Sequence, residues 1–202
     1  MAIRFLFTTP LYEGALADDD LLAALHGSCL ALAVDDTAGR AWSKAHGYRG
    51  YTSYASLNDL PQRDPAFADL ARALNRHAAA FARDCAFDLG NRKPKLDSLW
   101  VNVMKPGATH SGHIHPHSII SGTLYVAVPP GSGAIRFEDP RLPLMMAAPV
   151  RRPDAPEDRQ SFVHIAPTPG TILLWESWLR HEVMPHAGKG SSERISISFN
   201  YS

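Results

Sequence analysis

Four histidines fall within nine residues in "HSGHIHPHS", from His110 to Ser118. Residues two apart on an extended strand project from the same face, so His113 and His115 point toward one place. Two imidazoles on one pleat offer two adjacent coordination positions for Fe, Zn, Cu or Ni. A third ligand has to arrive from a distant strand, and His181 is the leading candidate. It stands in "LLWESWLRHEVMP", just past a strongly apolar run, where packing alone does not explain an imidazole. The competing reading is a solvated loop that is merely histidine-rich. His110 and His117 read as flanking residues, His26 and His77 as structural residues on helices, and His46, His164 and His186 as loop or core residues.

Beyond His181, Arg194 opens the alternating segment "RISISFNYS". Ile195, Ile197 and Phe199 face one way, while Arg194, Ser196, Ser198 and Asn200 face the other. A guanidinium pointing into a small β-sandwich needs an anion, and its planar fork suits a carboxylate. Two sources of that anion stand open: an acidic side chain of the protein, or a bound ligand toward which Ser196 and Ser198 add hydroxyl donors. Tyr125 shares a face of "SGTLYVAV" with Ser121 and Thr123. It either donates its phenol to the same anion or is a core tyrosine with a satisfied hydroxyl.

Such residues need β-structure to hold them. From Leu96 the hydrophobic period is two, and "SLWVNVMKPG", "ISGTLYVAVPPGSG", "AIRFEDP", "SFVHIAPTPG", "TILLWES" and "RISISFNYS" read as short strands between Gly and Pro turns. That succession favours a sandwich or jelly roll. The long irregular insertion between Pro140 and Ser161 and the Gly- and Tyr-rich loop around Tyr51 and Tyr54 are expected to border the mouth of the pocket. Upstream the period is helical. Asp18 to Asp20 precede "LLAALHGSCLALAV" and suit a helix N-terminus. Asp64 caps a second helix with Pro65 at its first position, and Phe67, Leu70, Leu74, Ala78, Phe81 and Cys85 make its apolar face.

With 45% hydrophobic and 20% charged residues, the 202-residue chain has the mix of a soluble protein with a real core. Its formal net charge is zero and it carries no basic block, so nucleic acid and anionic membranes are not expected partners. No apolar run approaches the length of about 20 residues that spans a bilayer. The N-terminal "MAIRFLFTTPLYEG" does not read as a signal peptide. Cys29 and Cys85 read as reduced thiols of a cytoplasmic protein.

Taken together, "SLWVNVMKPG", "HIHPHSIISGTLYV", "GAIRFEDP", "PGTILLWESWLRHEV" and "RISISFNYS" resemble the 2-oxoglutarate/Fe(II)-dependent oxygenases, and within them the bacterial and phage type. The N-terminal "FLFTTPLYEG" is similar to that family's opening. The resemblance implies a mainly β double-stranded β-helix (a cupin-like jelly roll) with flanking N-terminal helices. Residues 1–202 would form a single oxygenase domain, 1–95 as largely helical support and 96–202 as the core. It further implies Fe(II) on His113, His115 and His181. 2-Oxoglutarate would be the co-substrate, held by Arg194, Ser196 and Tyr125, and O2 would be consumed with a small-molecule or peptide substrate. A homodimer is compatible with this. One departure stands out: the superfamily's carboxylate ligand is replaced by His115, and Glu176 and Glu182 are the nearest acids by sequence. A cupin-like three-histidine metalloprotein that does not use 2-oxoglutarate, and a non-catalytic jelly-roll binding protein, are the alternatives. Gly107 has the cupin spacing to His113, but the cupin glutamate expected shortly after His115 is absent.

Overall fold

The computed structural model describes residues 2–190 and 192–202. Among the described residues, ten strands form two antiparallel sheets. In chain order the strands are β1 (Leu11–Ala15), β2 (Gly50–Thr52), β3 (Leu96–Met104), β4 (His110–His113), β5 (Ile120–Ala127), β6 (Ile135–Glu138), β7 (Phe162–Ile165), β8 (Thr171–Glu176), β9 (His181–Val183) and β10 (Arg194–Tyr201). The major sheet runs β1-β8-β5-β10-β3-β2 and the minor sheet β4-β9-β6-β7. From β3 onward the chain winds between the two sheets, which is the jelly-roll path of a double-stranded β-helix. The fold is mainly β, as expected.

Alternation along β10 decides what each face of the major sheet does. Ile195, Ile197 and Phe199 are buried in the main hydrophobic core with Leu99, Val101, Val103, Leu124 and Ile172. Two helices seal that face: α1 (Asp19–Asp35) and, after α2 (Thr37–Ala45) and the single turn α3 (Leu60–Arg63), α4 (Pro65–Asp84). Phe67, Leu70, Leu74, Ala78 and Phe81 of α4 are buried there, while Cys85 is the half-buried cap. Each fully buried Leu or Phe contributes about 1.5–3 kcal/mol from removed apolar surface. The helices start where the sequence says. Asp18 Oδ1 accepts from Leu21 N, and Asp64 Oδ1 accepts from Ala66 N with Pro65 in the first turn.

The N-terminal half is not only helical. β1 pairs with β8 and β2 with β3, so both outer strands of the major sheet come from residues before 96. Two local expectations need correction. β4 ends at His113, so His113 and His115 do not share one strand. Pro116 follows His115, and the residue before a proline favours an extended backbone. The Tyr51 side chain is buried in the main core, where its hydroxyl donates to Asp36. It does not line the cavity beside the histidines.

Candidate metal centre

His113 and His181 face each other directly as register partners between β4 and β9. Paired residues of adjacent antiparallel strands bring their side chains close together, and these two rings lie 4.4 Å apart, centroid to centroid. His115 reaches the same point from beyond the strand. Its N–H donates to Ser177 O (3.0 Å), and the Trp100 ring stacks on its imidazole at 5.8 Å. One nitrogen from each of His113, His115 and His181 lies within 4.8 Å of the other two.

The hydrogen bonds define which nitrogen that is. His113 Nδ1 lies 2.7 Å from Ser111 O and His181 Nδ1 2.9 Å from Leu179 O. A carbonyl only accepts, so both Nδ1 atoms carry the proton and both Nε2 atoms present a lone pair. His115 Nδ1 faces Asn200 Oδ1 at 2.8 Å, and its Nε2 is buried without a partner. Three converging imidazole lone pairs, one of them otherwise orphaned, suit a borderline transition-metal ion such as iron. Burial, reinforced by the neighbouring His113, pushes His115 down to about 4. Burial pushes His181 to about 3, against the opposing pull of its bond to Leu179 O. Both are therefore neutral imidazoles at physiological pH, the form that could bind a metal ion. Neither acid near them in sequence joins the centre: Glu182 pairs with Arg136, and Glu176 accepts from Trp178 Nε1.

A cavity of about 620 Å3 opens beside this cluster between the sheets. Its floor is the polar face of β10, with Arg194, Ser196, Ser198 and Asn200, together with Thr123 and Tyr125 of β5 and Asn102 of β3. Arg194 is only 1% exposed, yet no carboxylate pairs with it among the described residues. Its Nη1 reaches Met104 Sδ (3.2 Å) and, weakly, Ser196 Oγ (3.4 Å), and its Nε has no partner. The guanidinium lies 5.0 Å from the centre of the Tyr125 ring, whose fully buried hydroxyl also lacks a partner. Burial lowers the Arg194 pKa and pushes the Tyr125 phenol up to about 12, the latter against the nearby positive charge. Of the two sources of anion left open by the sequence, the internal acid is removed.

The remaining predicted residues divide. Tyr54, 64% exposed, lines the cavity mouth with Trp42 and Trp100, but no residue of the 140–161 insertion lines the cavity, contrary to expectation. The insertion leaves β6 near His181 and then runs over the surface, with Met146 and Val150 almost fully exposed. His110 is more than a flanking residue: it lines the cavity with its Nε2 2.8 Å from the Tyr48 hydroxyl. Burial, then the Arg194 charge, lowers His110 to about 4. Trp100, Tyr48 and Asn200 were not singled out as site residues. Asn200 is marked by its place on the inward face of β10 and Tyr48 by its place in the Gly- and Tyr-rich loop, while Trp100 carries no such mark.

Residues 98–200, just over half of the chain, match the family described as "Putative 2OG-Fe(II) oxygenase". No curated protein matches the chain. Solved structures share the fold at low identity. A prolyl-4-hydroxylase from Pseudomonas putida is 17% identical, with a TM-score of 0.58 over 96% of this chain and 92% of its own. The viral collagen prolyl hydroxylase of Paramecium Bursaria Chlorella virus-1, solved with 2-oxoglutarate, is 13% identical, with a TM-score of 0.58 over 95% and 94%. HygX from Streptomyces hygroscopicus, with nickel and 2-oxoglutarate bound, is 15% identical, with a TM-score of 0.59 over 96% and 82%. The chain belongs to the 2OG-Fe(II) oxygenase family and is an enzyme that uses Fe(II) and 2-oxoglutarate.

Proposed function

From that premise, we propose that His113, His115 and His181 hold the iron and that Arg194, Ser196 and Tyr125 hold the far carboxylate of 2-oxoglutarate. The overall reaction is then 2-oxoglutarate plus O2 plus R–H giving succinate, CO2 and R–OH, with a small-molecule or peptide substrate as R–H. The observation that carries this reading is the buried Arg194 guanidinium. It has no internal carboxylate and lies in the same cavity as three imidazole lone pairs. A desolvated cation without an anion is costly, and a carboxylate ligand removes that cost. When bound, iron supplies the activation of O2.

The chain's own residues bind and orient. Arg194 offers the unpaired Nε and the Nη atoms to the carboxylate, and the orphaned Tyr125 hydroxyl and Ser196 Oγ lie on the same face to add donors. Trp175 packs edge-on against the His181 ring at 4.7 Å, with Phe137 behind it at 6.0 Å, so water is kept from that ligand's inner side. Trp100, Tyr54 and Trp42 form an aromatic wall leading outward from His115, at centroid spacings of 5.8, 5.4 and 6.4 Å. The prime substrate enters along this wall. Two unpaired cysteines support a cytoplasmic setting.

Neither alternative is favoured. A cupin-like metalloprotein has no use for Arg194, and a metal-free binding jelly roll has no use for three converging lone pairs. Anaerobic titration with Fe(II), with and without 2-oxoglutarate, tests the reading. A weak visible charge-transfer band should develop only with both, and aerobic incubation should yield succinate. Iron-loaded protein that shows no 2-oxoglutarate binding by calorimetry would leave the cupin-like reading in its place.

A further inference from the structure

The three imidazoles are not held in the same way. His113 and His181 each donate Nδ1–H to the backbone carbonyl two residues earlier, Ser111 O and Leu179 O. Those bonds are built into the local chain and no side-chain substitution removes them. His115 instead depends on a side chain 85 residues away, Asn200, at 2.8 Å. We propose that Asn200 is the positioning residue of the metal centre, fixing the tautomer and donor strength of the imidazole that stands where a carboxylate ligand is expected. This rests on the reading of His115 as an iron ligand.

The geometry around Asn200 supports an assigned orientation of its amide. Oδ1 accepts from His115 Nδ1–H and also from Ser121 Oγ at 2.8 Å. Ser121 Oγ lies in turn 2.8 Å from Ser177 Oγ, and the Ser177 carbonyl accepts the His115 backbone N–H. Main chain and side chain of His115 are therefore tied into one hydrogen-bonded group that spans β5, β10 and the turn after β8. With Oδ1 toward the ring, Nδ1 must carry the proton and Nε2 must present its lone pair toward the other two histidines. The reversed amide would put an N–H against Nδ1, place the proton on Nε2, and remove the third ligand.

The identity of the acceptor matters because His115 is neutral. A carboxylate in place of the Asn200 amide would draw the Nδ1 proton more strongly, make the imidazole a stronger donor, and return part of the negative charge that a histidine ligand lacks. An apolar side chain of similar size would free the ring to rotate and to change tautomer.

Co(II) tests this in the absence of 2-oxoglutarate and turnover. Its visible d–d spectrum reports ligand number and donor strength, and its affinity is read by the same titration. Asn200→Leu should weaken Co(II) about 10–100-fold and alter the d–d bands. Asn200→Asp should restore affinity to the wild-type value or beyond, with bands shifted from those of wild type. Should Asn200→Leu not fold, Asn200→Asp alone decides, by the presence or absence of that shift. Wild-type affinity and spectrum in either folded variant overturns the proposal. A His115→Ala control that binds Co(II) as tightly as wild type removes the three-histidine reading itself, so the two failures are distinguishable.

Discussion

Replacing Arg194 by Met separates a cation kept for a ligand from one kept for the fold. The guanidinium is 1% exposed, its Nε has no hydrogen-bond partner, and its Nη1 bonds run to a thioether and, at 3.4 Å, to a serine, with no carboxylate among the described residues. Without an anion the wild-type protein therefore carries an uncompensated buried charge. Methionine is unbranched, of similar reach, and compatible with Met104, which the guanidinium already touches. Relieving the buried charge should stabilise the metal-free, ligand-free protein by about 1–3 kcal/mol. For a chain of this size that is a rise in Tm of roughly 2–4 °C per kcal/mol. Binding should move the other way. Two charge-assisted hydrogen bonds, each worth roughly 1.5–3 kcal/mol, are lost, and the ligand carboxylate meets a thioether. A net loss of about 3–4 kcal/mol corresponds to roughly 100- to 1,000-fold in the 2-oxoglutarate Kd. Arg194→Ala leaves room for water and should lose only about 10–100-fold, and Arg194→Lys should recover part of the affinity because an ammonium cannot reproduce the fork. Differential scanning fluorimetry of the apo proteins and anaerobic calorimetry on the metal-loaded ones read the two arms. A Met variant with lower Tm and unchanged 2-oxoglutarate affinity would refute this account and make Arg194 a structural residue.

His181→Ala should abolish stoichiometric iron binding, measured by elemental analysis, while circular dichroism stays that of the wild type, since the ring sits beside rather than within the main core. The apo protein should lose stability in acid. Burial holds the pKa values of His110 and His115 at about 4 and of His181 at about 3, below the ordinary imidazole value of about 6.5. Between those limits the unfolded chain binds more protons, so stability is fully present above about pH 6.5 and falls as pH drops toward 4. Urea titrations of metal-free protein at pH 5 and pH 7 check the sign. Tyr54→Ala, at a position 64% exposed, should leave Tm and 2-oxoglutarate affinity unchanged but lower the coupling of succinate formation to substrate hydroxylation once a prime substrate is in hand. Gly122→Ala should cost several kcal/mol, because a Cβ would lie 2.6 Å from Leu173 O on the neighbouring strand and closer still to Phe199. Chemical denaturation measures it.

The sequence made the chemistry of this fold more legible than its edges. Period-two alternation in "RISISFNYS" placed Arg194, Ser196, Ser198 and Asn200 on one face, and that face is the cavity floor. The distal His181 was visible because an imidazole after an apolar strand has no packing reason to be there. β1, β2 and β9 escaped notice for a physical cause: "LYEGA", "GYT" and "HEV" are too short to show a period, and their strand conformation is imposed by neighbours already in place. That loops carry specificity argues for the insertion after Pro140 at the pocket mouth, but its path depends on tertiary contacts that local sequence does not encode. The bond from Asn200 to His115 lay hidden for the same reason. Each residue is visible alone, and only the fold, which pairs β10 with β5 and ties the His115 N–H to Ser177 after β8, brings them within reach.

β1 and β2 have a bearing on how such a protein can be cut and recombined. They close the two sides of the major sheet with chain from before residue 96, and α1 and α4 roof its apolar face. A fragment starting at Leu96 would hold every proposed ligand and clamp residue, yet would present β8 and β3 as bare edges beside an uncovered hydrophobic surface, which invites strand-to-strand aggregation. The part of the chain with the chemistry is thus not a transplantable unit. Grafting it onto another N-terminal half requires that half to bring its own two edge strands and its own helical roof.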